Sequence, residues 1–231
     1  AKIFGSQRSG TNYVKFLLEK NFSNVEVLDL PLGDKHDFPN PEKAISVNQG
    51  LPETSPSYCS PQLAESVLLR QVRFVHITKP LMSWLPSFRN FRLLKDSKEA
   101  FPWEDFGGPW IDMWLERNVA WSRFISGQRN SQSLVLDDLI NGGEPFLNHC
   151  LGQALGINRN TEPLDLAKNN AMRRSTDAHH GDDVRNIHVT FSQTEYLSRI
   201  KIRELPGWLM EMALEKYLTS DAPLFPSLRL V

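Results

Sequence analysis

The chain of 231 residues is short of several things, and each shortage narrows what it can do. It has two cysteines, Cys59 and Cys150, far apart and in no metal-ligand spacing. That argues against a disulfide scaffold or a cysteine zinc site and leaves reduced, structural thiols as the expectation. No apolar run approaches the ~20 residues that a membrane-spanning helix needs. The apolar stretch near the start is broken by Arg8, Lys15, Glu19 and Lys20, so it does not read as a signal peptide. Neither sign of charge is in excess, with 26 Lys and Arg against 27 Asp and Glu. Wholesale binding to nucleic acid or to an anionic membrane is therefore not expected, although a local basic pocket is compatible with this balance. These features lead to the expectation of a cytoplasmic protein. Its length suits a single domain over 1–231 with one large core.

One further shortage is local. Lys2 to Phe4 reads as a short strand running into the turn GSQRSGTN, and a helix follows from Thr11, with Val14, Leu17, Leu18 and Phe22 at helical spacing. Gly5 and Gly10 have the spacing of the end glycines of a nucleotide-binding P-loop. The turn nevertheless lacks the Gly-Lys-Ser/Thr that would follow, and Asn12 stands where a magnesium-holding hydroxyl is needed. Downstream, Leu134 to Asp137 is the one apolar run ending in an acid suited to anchor a metal. What remains is a cradle for a tetrahedral oxyanion: backbone N–H groups, the positive end of a helix dipole, and the fork of Arg8. Metal-free anion transfer fits it better than ATP or GTP chemistry.

The rest of the chain alternates in the same way. Val25 to Leu30 reads as a second strand parallel to the first, and 31–43 as a loop rich in Pro, Gly and charge. Residues 62–69 read as a helix, and VRFVHIT (72–78) as a buried parallel strand. A helix over 81–92 is limited or kinked by Pro86. PWEDFGGPW reads as a loop with a turn. Trp110, Met113, Trp114, Arg117, Trp121, Phe124 and Ile125 then mark one face of a helix over 110–126, with the tryptophans expected in the core. Ser133 to Leu136 is a strand, and Pro145 to Leu155 a helix closed by Gly156. Residues 158–190 form a long polar loop, and 192–200 and 206–217 read as helices. The expected fold is α/β: three layers, α/β/α, with a central parallel sheet, like that of P-loop NTPases.

QRSGTNYV resembles the 5′-phosphosulfate loop of the sulfotransferases that use 3′-phosphoadenosine-5′-phosphosulfate (PAPS) without a metal. The resemblance implies that Gln7, Arg8, Ser9, Gly10, Thr11 and Asn12 contact the phosphosulfate. In KPLMSWLPS, Lys79, Trp84, Leu85 and Ser87 fall in the register of the family's 3′-phosphate segment, so Lys79 and Ser87 are the implied ligands there. Pro80 departs from that pattern by standing one position early. SLVLDDLINGGEPFLNHCLGQALGI is similar to the family's strand, acidic-Asp-Leu and helix ending Leu-Gly, where Asp137 or Asp138 caps or braces the core. These likenesses cover 2–22, 72–92 and 133–157.

Sulfuryl transfer to a hydroxyl calls for a general base and a cation beside the donor. Lys35-His36, after the second strand, resembles the family's Lys-His pair, with His36 as base and Arg8 and Lys35 as cations. Asp34, Asp37 and Glu53 are competing bases. Either Arg173 and Arg174 close over the 3′-phosphate and His179 or His180 lines the acceptor site, or all four belong to a surface loop. His76, inside a strand, and His149, inside a helix, read as structural. Trp84 is expected to pack beneath the nucleotide loop, while Trp103 reads as a stacking platform for acceptor or adenine. The expectation is a sulfotransferase acting on a small-molecule or carbohydrate hydroxyl, with a nucleoside or small-molecule kinase and a non-catalytic nucleotide-binding module as alternatives. No pattern in the chain fixes an oligomeric state.

Overall fold

The computed structural model describes residues 1–28, 34–36, 38, 72–95, 101–160 and 205–231. Three parallel strands form the sheet in the order β1 (Lys2–Phe4), β2 (Phe74–Thr78), β3 (Ser131–Val135). Every residue of β1 and β2 is buried, as a parallel sheet covered on both faces requires. Alternation divides the side chains. Ile3, Val75, Ile77 and Leu134 join Val14, Leu17 and Leu18 of helix α1 (Thr11–Asn21) in one core. Phe4 and Phe74 pack on the other side with Trp121 and Ile125 of helix α3 (Trp103–Ser126). The molecule is thus α/β, with helices against both faces of a parallel sheet. Of the strand expected over 25–30, the described part makes a single parallel bridge, Leu28 to Lys2 on the outer side of β1.

Helix α2 (Leu81–Lys95) continues through Pro86 instead of starting or ending there. The buried side chains of Trp84, Leu85 and Phe88 hold it against α3 on both sides of the proline. Its first N–H groups find acceptors far along the chain: Leu81 N donates to Arg229 O at 3.0 Å and Met82 N to Leu230 O at 2.9 Å. Asp138 grips the guanidinium of Arg229 at 2.6 and 2.8 Å, a partly exposed ion pair that ties the chain after β3 to this segment.

The sequence expectation fails most clearly at PWEDFGGPW, which forms the opening turns of α3 and not a loop. Pro102 precedes the helix, and Glu104 and Asp105 sit in its first turn, where the dipole favours acids. Gly107 lets two helices approach: a Cβ there would come within 2.5 Å of Leu209 Cδ1 on helix α6 (Gly207–Thr219), and that side chain would have to shift. Close approach of two helices explains this glycine, which sequence alone presents as a breaker. The segment after β3 is likewise more broken than one helix over 145–155. It comprises α4 (Leu136–Asn141), α5 (Gly143–Leu147) and a π turn (Asn148–Gln153), and Gly156 follows with φ +63°. Trp110, Trp114 and Trp121 are core residues, as their spacing implies. The helices expected over 62–69 and 192–200 lie outside the described residues.

Among the described residues no helix is long and apolar enough to cross a membrane.

Candidate functional site

The turn between β1 and α1 sits at the carboxyl end of the sheet, where parallel sheets bind ligands. Two features set its shape. Gly5 lies so close to β2 that a Cβ would penetrate Ile77 O and come within 2.6 Å of Ser9 Oγ. Gly10 precedes α1 with φ +96°, a conformation that only glycine adopts readily. Arg8, between them, also has a left-handed backbone, φ 70°, although it carries a side chain. Strain of this kind, about 1–2 kcal/mol, is commonly held at functional sites. Arg8 is exposed, with its guanidinium 5.8 Å from the centroid of Phe91 on α2.

Ser9 has its hydrogen-bond partner within the turn. It is buried, and both its N–H (3.0 Å) and its Oγ (2.6 Å) donate to Ser6 O, so here it braces the turn. Trp84 packs beneath the same loop, as expected of it, and its Nε1 donates to Gln7 O at 2.7 Å. Lys79 directly follows β2 and Ser87 lies within α2; both are buried, Lys79 to 2% exposure. Trp103 serves packing. Its ring stands edge-on to Trp110, and the Arg89 guanidinium lies 4.9 Å from its centroid.

Residues 34–36 close over the turn. Gly5 N donates to Lys35 O at 3.0 Å, and Lys35 Nζ donates to Asn12 Oδ1 at 2.7 Å. The Nδ1 of His36 lies 2.6 Å from Gly5 O. A carbonyl only accepts, so Nδ1 carries the proton, and in the neutral ring Nε2 keeps its lone pair. Asp34 Oδ1 accepts from His36 N at 2.8 Å, which fixes the local turn, and Arg117 of α3 donates to His36 O at 3.1 Å. Burial pushes the imidazole below its ordinary pKa. The Gly5 carbonyl and Asp34 raise it, while Lys35 and Arg117 lower it further. The net direction is down, so the ring is neutral at neutral pH and able to accept a proton.

A second histidine is wired the opposite way. Asn118 Nδ2 donates to Trp114 O at 2.7 Å and to Ser6 Oγ at 3.2 Å, which turns its Oδ1 toward His76 Nε2 at 3.0 Å. Nε2 of His76 is therefore the protonated nitrogen, and Nδ1 faces the hydroxyls of Ser122 and Ser133, each at 3.4 Å. Complete burial lowers its pKa to about 4, against a smaller upward pull from Asn118. The unfolded chain binds the proton near 6.5 and the folded one only near about 4. Between those values the unfolded state holds more protons, so stability is full above 6.5 and falls as pH drops toward 4, by on the order of 3 kcal/mol. Denaturant midpoints across that window should show this slope, and His76→Gln should flatten it. An unchanged slope in the variant would remove His76 from the account.

Of the sequence-derived site residues, the structure brings Gln7, Arg8, Ser9, Gly10, Thr11, Asn12, Lys35 and His36 together at one turn. Asp37, Glu53, Arg173, Arg174, His179 and His180 lie outside the described residues. His149 is exposed on the π turn and bonds Gln153. Arg117 and Asn118 were not singled out as site residues. Their signal is a strongly polar pair amid the tryptophan positions of α3.

Chemically, the turn offers an anion a helix N-terminus and an exposed arginine, with a neutral imidazole and a lysine on its rim. A glycine-floored turn of this kind fits a phosphate- or sulfate-like group, because the backbone itself forms the contact surface. Arg8→Gly separates the roles of side chain and backbone. It removes the cation and relaxes the left-handed strain, so anion affinity should fall while the melting temperature holds or rises; a large loss of stability would contradict this assignment. No family model matches the chain, and neither a curated protein nor a solved structure does.

Proposed function

We propose that the protein is a PAPS-dependent sulfotransferase of the P-loop-like α/β type, acting on a small-molecule or carbohydrate hydroxyl in the cytoplasm. The observation that carries the reading is the 2.6 Å contact of His36 Nδ1 with Gly5 O, which brings a neutral imidazole with an available Nε2 onto the rim of the oxyanion turn. PAPS, when bound, supplies the sulfuryl group. The turn and Arg8 hold its 5′ end, and Lys79 and Ser87 its 3′-phosphate. His36 Nε2 takes the acceptor's proton as the hydroxyl oxygen bonds to sulfur. The sulfur's bond to the bridging oxygen breaks, and 3′,5′-adenosine bisphosphate (PAP) leaves. Lys35, held at Asn12 beside the turn, faces the charge that develops there. Lys79 follows the central strand directly, at the carboxyl end of the sheet, and Ser87 lies on the helix after it, as a second contact end would require.

The test compares PAP with AMP, which lacks the 3′-phosphate. Lys79→Ala should erase the preference for PAP, and Arg8→Ala should weaken both ligands. Equal affinity for the two in the unaltered protein would overturn the two-ended site.

A further inference from the structure

We infer that helix α3 fixes the two reactive segments relative to each other, with Arg117 and Asn118 as positioning residues. The inference rests on the reading of His36 as base and of the glycine turn as anion site. These neighbours in one helix each hold a different segment. Arg117 donates to His36 O at 3.1 Å, on the backbone of the residue carrying the imidazole. Asn118 donates to Ser6 Oγ at 3.2 Å, on the turn itself. The segments are also joined directly, by Gly5 N to Lys35 O at 3.0 Å and His36 Nδ1 to Gly5 O at 2.6 Å. The contacts form a closed ring: turn, base segment, Arg117, Asn118, turn.

The anchor of that ring is buried and rigid. Asn118 is bonded to Trp114 O and His76 Nε2, and His76 stands in the central strand β2. A satisfied polar network away from water holds its geometry tightly, because each bond broken leaves a desolvated group. His36 Nε2 thereby keeps a set position over the turn. Neither Arg117 nor Asn118 is assigned a contact with substrate, so their effect is on placement, where an error of about 1 Å lowers rates by about 100-fold.

Among the described residues, the charged groups facing His36 are Asp34 and Lys35 from its own segment and Arg117 from α3. This makes the test separable from the transfer assay. In Arg117→Met, nitrogen-detected NMR of the nucleotide-free protein should show the His36 titration midpoint moving up, because a nearby cation is gone. Turnover should fall about 10- to 100-fold, with PAP affinity nearly unchanged. Arg117→Lys keeps the charge with a shorter, single-point donor, so the midpoint should stay and turnover should recover in part. Ser6→Ala, which cuts the ring at the turn, should weaken PAP by about fivefold. If Arg117→Met folds but shifts neither midpoint nor turnover, the proposal is overturned. If it does not fold, turnover in Arg117→Lys equal to that of the unaltered protein overturns it instead. Failure of the unaltered protein to bind PAP would count against the sulfotransferase reading, while the His36 midpoint in Arg117→Met would still decide whether α3 holds that segment.

Discussion

A His36→Ala variant should lose about 10²- to 10⁴-fold in turnover while its affinity for PAP stays nearly unchanged. The split follows from the geometry. The ring reaches the turn through Nδ1, leaving Nε2 for the acceptor, and the nucleotide contacts are assigned to other residues. His36→Gln should not restore turnover, since an amide can imitate the hydrogen bond to Gly5 but cannot accept the proton. The acid limb of kcat/KM in the unaltered protein should lie below the ordinary histidine value, because burial disfavours the imidazolium. A limb at or above that value, or near-normal turnover in His36→Ala, would move the role to a carboxylate such as Asp34.

The second large effect belongs to Gly5→Ala. The added methyl would press on Ile77 O, which is backbone of the central strand, and on Ser9 Oγ, which is held by Ser6 O. Neither can swing aside as the tip of a long side chain would. The turn must lift instead, taking with it the Gly5 bonds to Lys35 and His36. Overpacking of this kind destabilises by about 1–3 kcal/mol. Binding should suffer more than folding, since the turn's amides are displaced, and turnover should fall with the displaced His36. Gly10→Ala is the informative contrast. Its Cβ would meet Leu136 Cδ1 at 2.6 Å, a side-chain tip that can yield, and the left-handed φ adds about 1–2 kcal/mol. Denaturant melts and PAP titration of both variants would separate the two mechanisms. A Gly5→Ala protein with unaltered stability and affinity would refute the close-approach argument.

The elements legible in the sequence were those whose cause is local. β1, the glycine turn and α1 announce themselves by a strand, two spaced glycines and a helical apolar period. β2 is a continuous β-rich run, and the tryptophan stripe of α3 follows its helical spacing into the core. What the sequence hid has non-local causes. Gly107 and Pro109 look like loop punctuation until Leu209, about a hundred residues away, is seen packing on the glycine. Pro86 looks like a boundary until the backbone of residues 229 and 230 is seen to cap the first turn of α2. At the site, Lys35 and His36 could be picked out by type and position. Their partners Asn12 and Gly5, and hence the tautomer of His36, are fixed only by the folded chain. The sequence places Arg117 on a helix face but gives neither it nor Asn118 a place at the site, because their partners, His36 and Ser6, lie in other segments.

Calorimetry with PAP and with ATP, each with and without magnesium, tests the central claim most directly. The account predicts that PAP binds equally well with and without the metal, that Arg8→Ala and Lys79→Ala each weaken this binding, and that ATP binds weakly in either condition. A preference for ATP that depends on magnesium, or no binding of PAP, would contradict it.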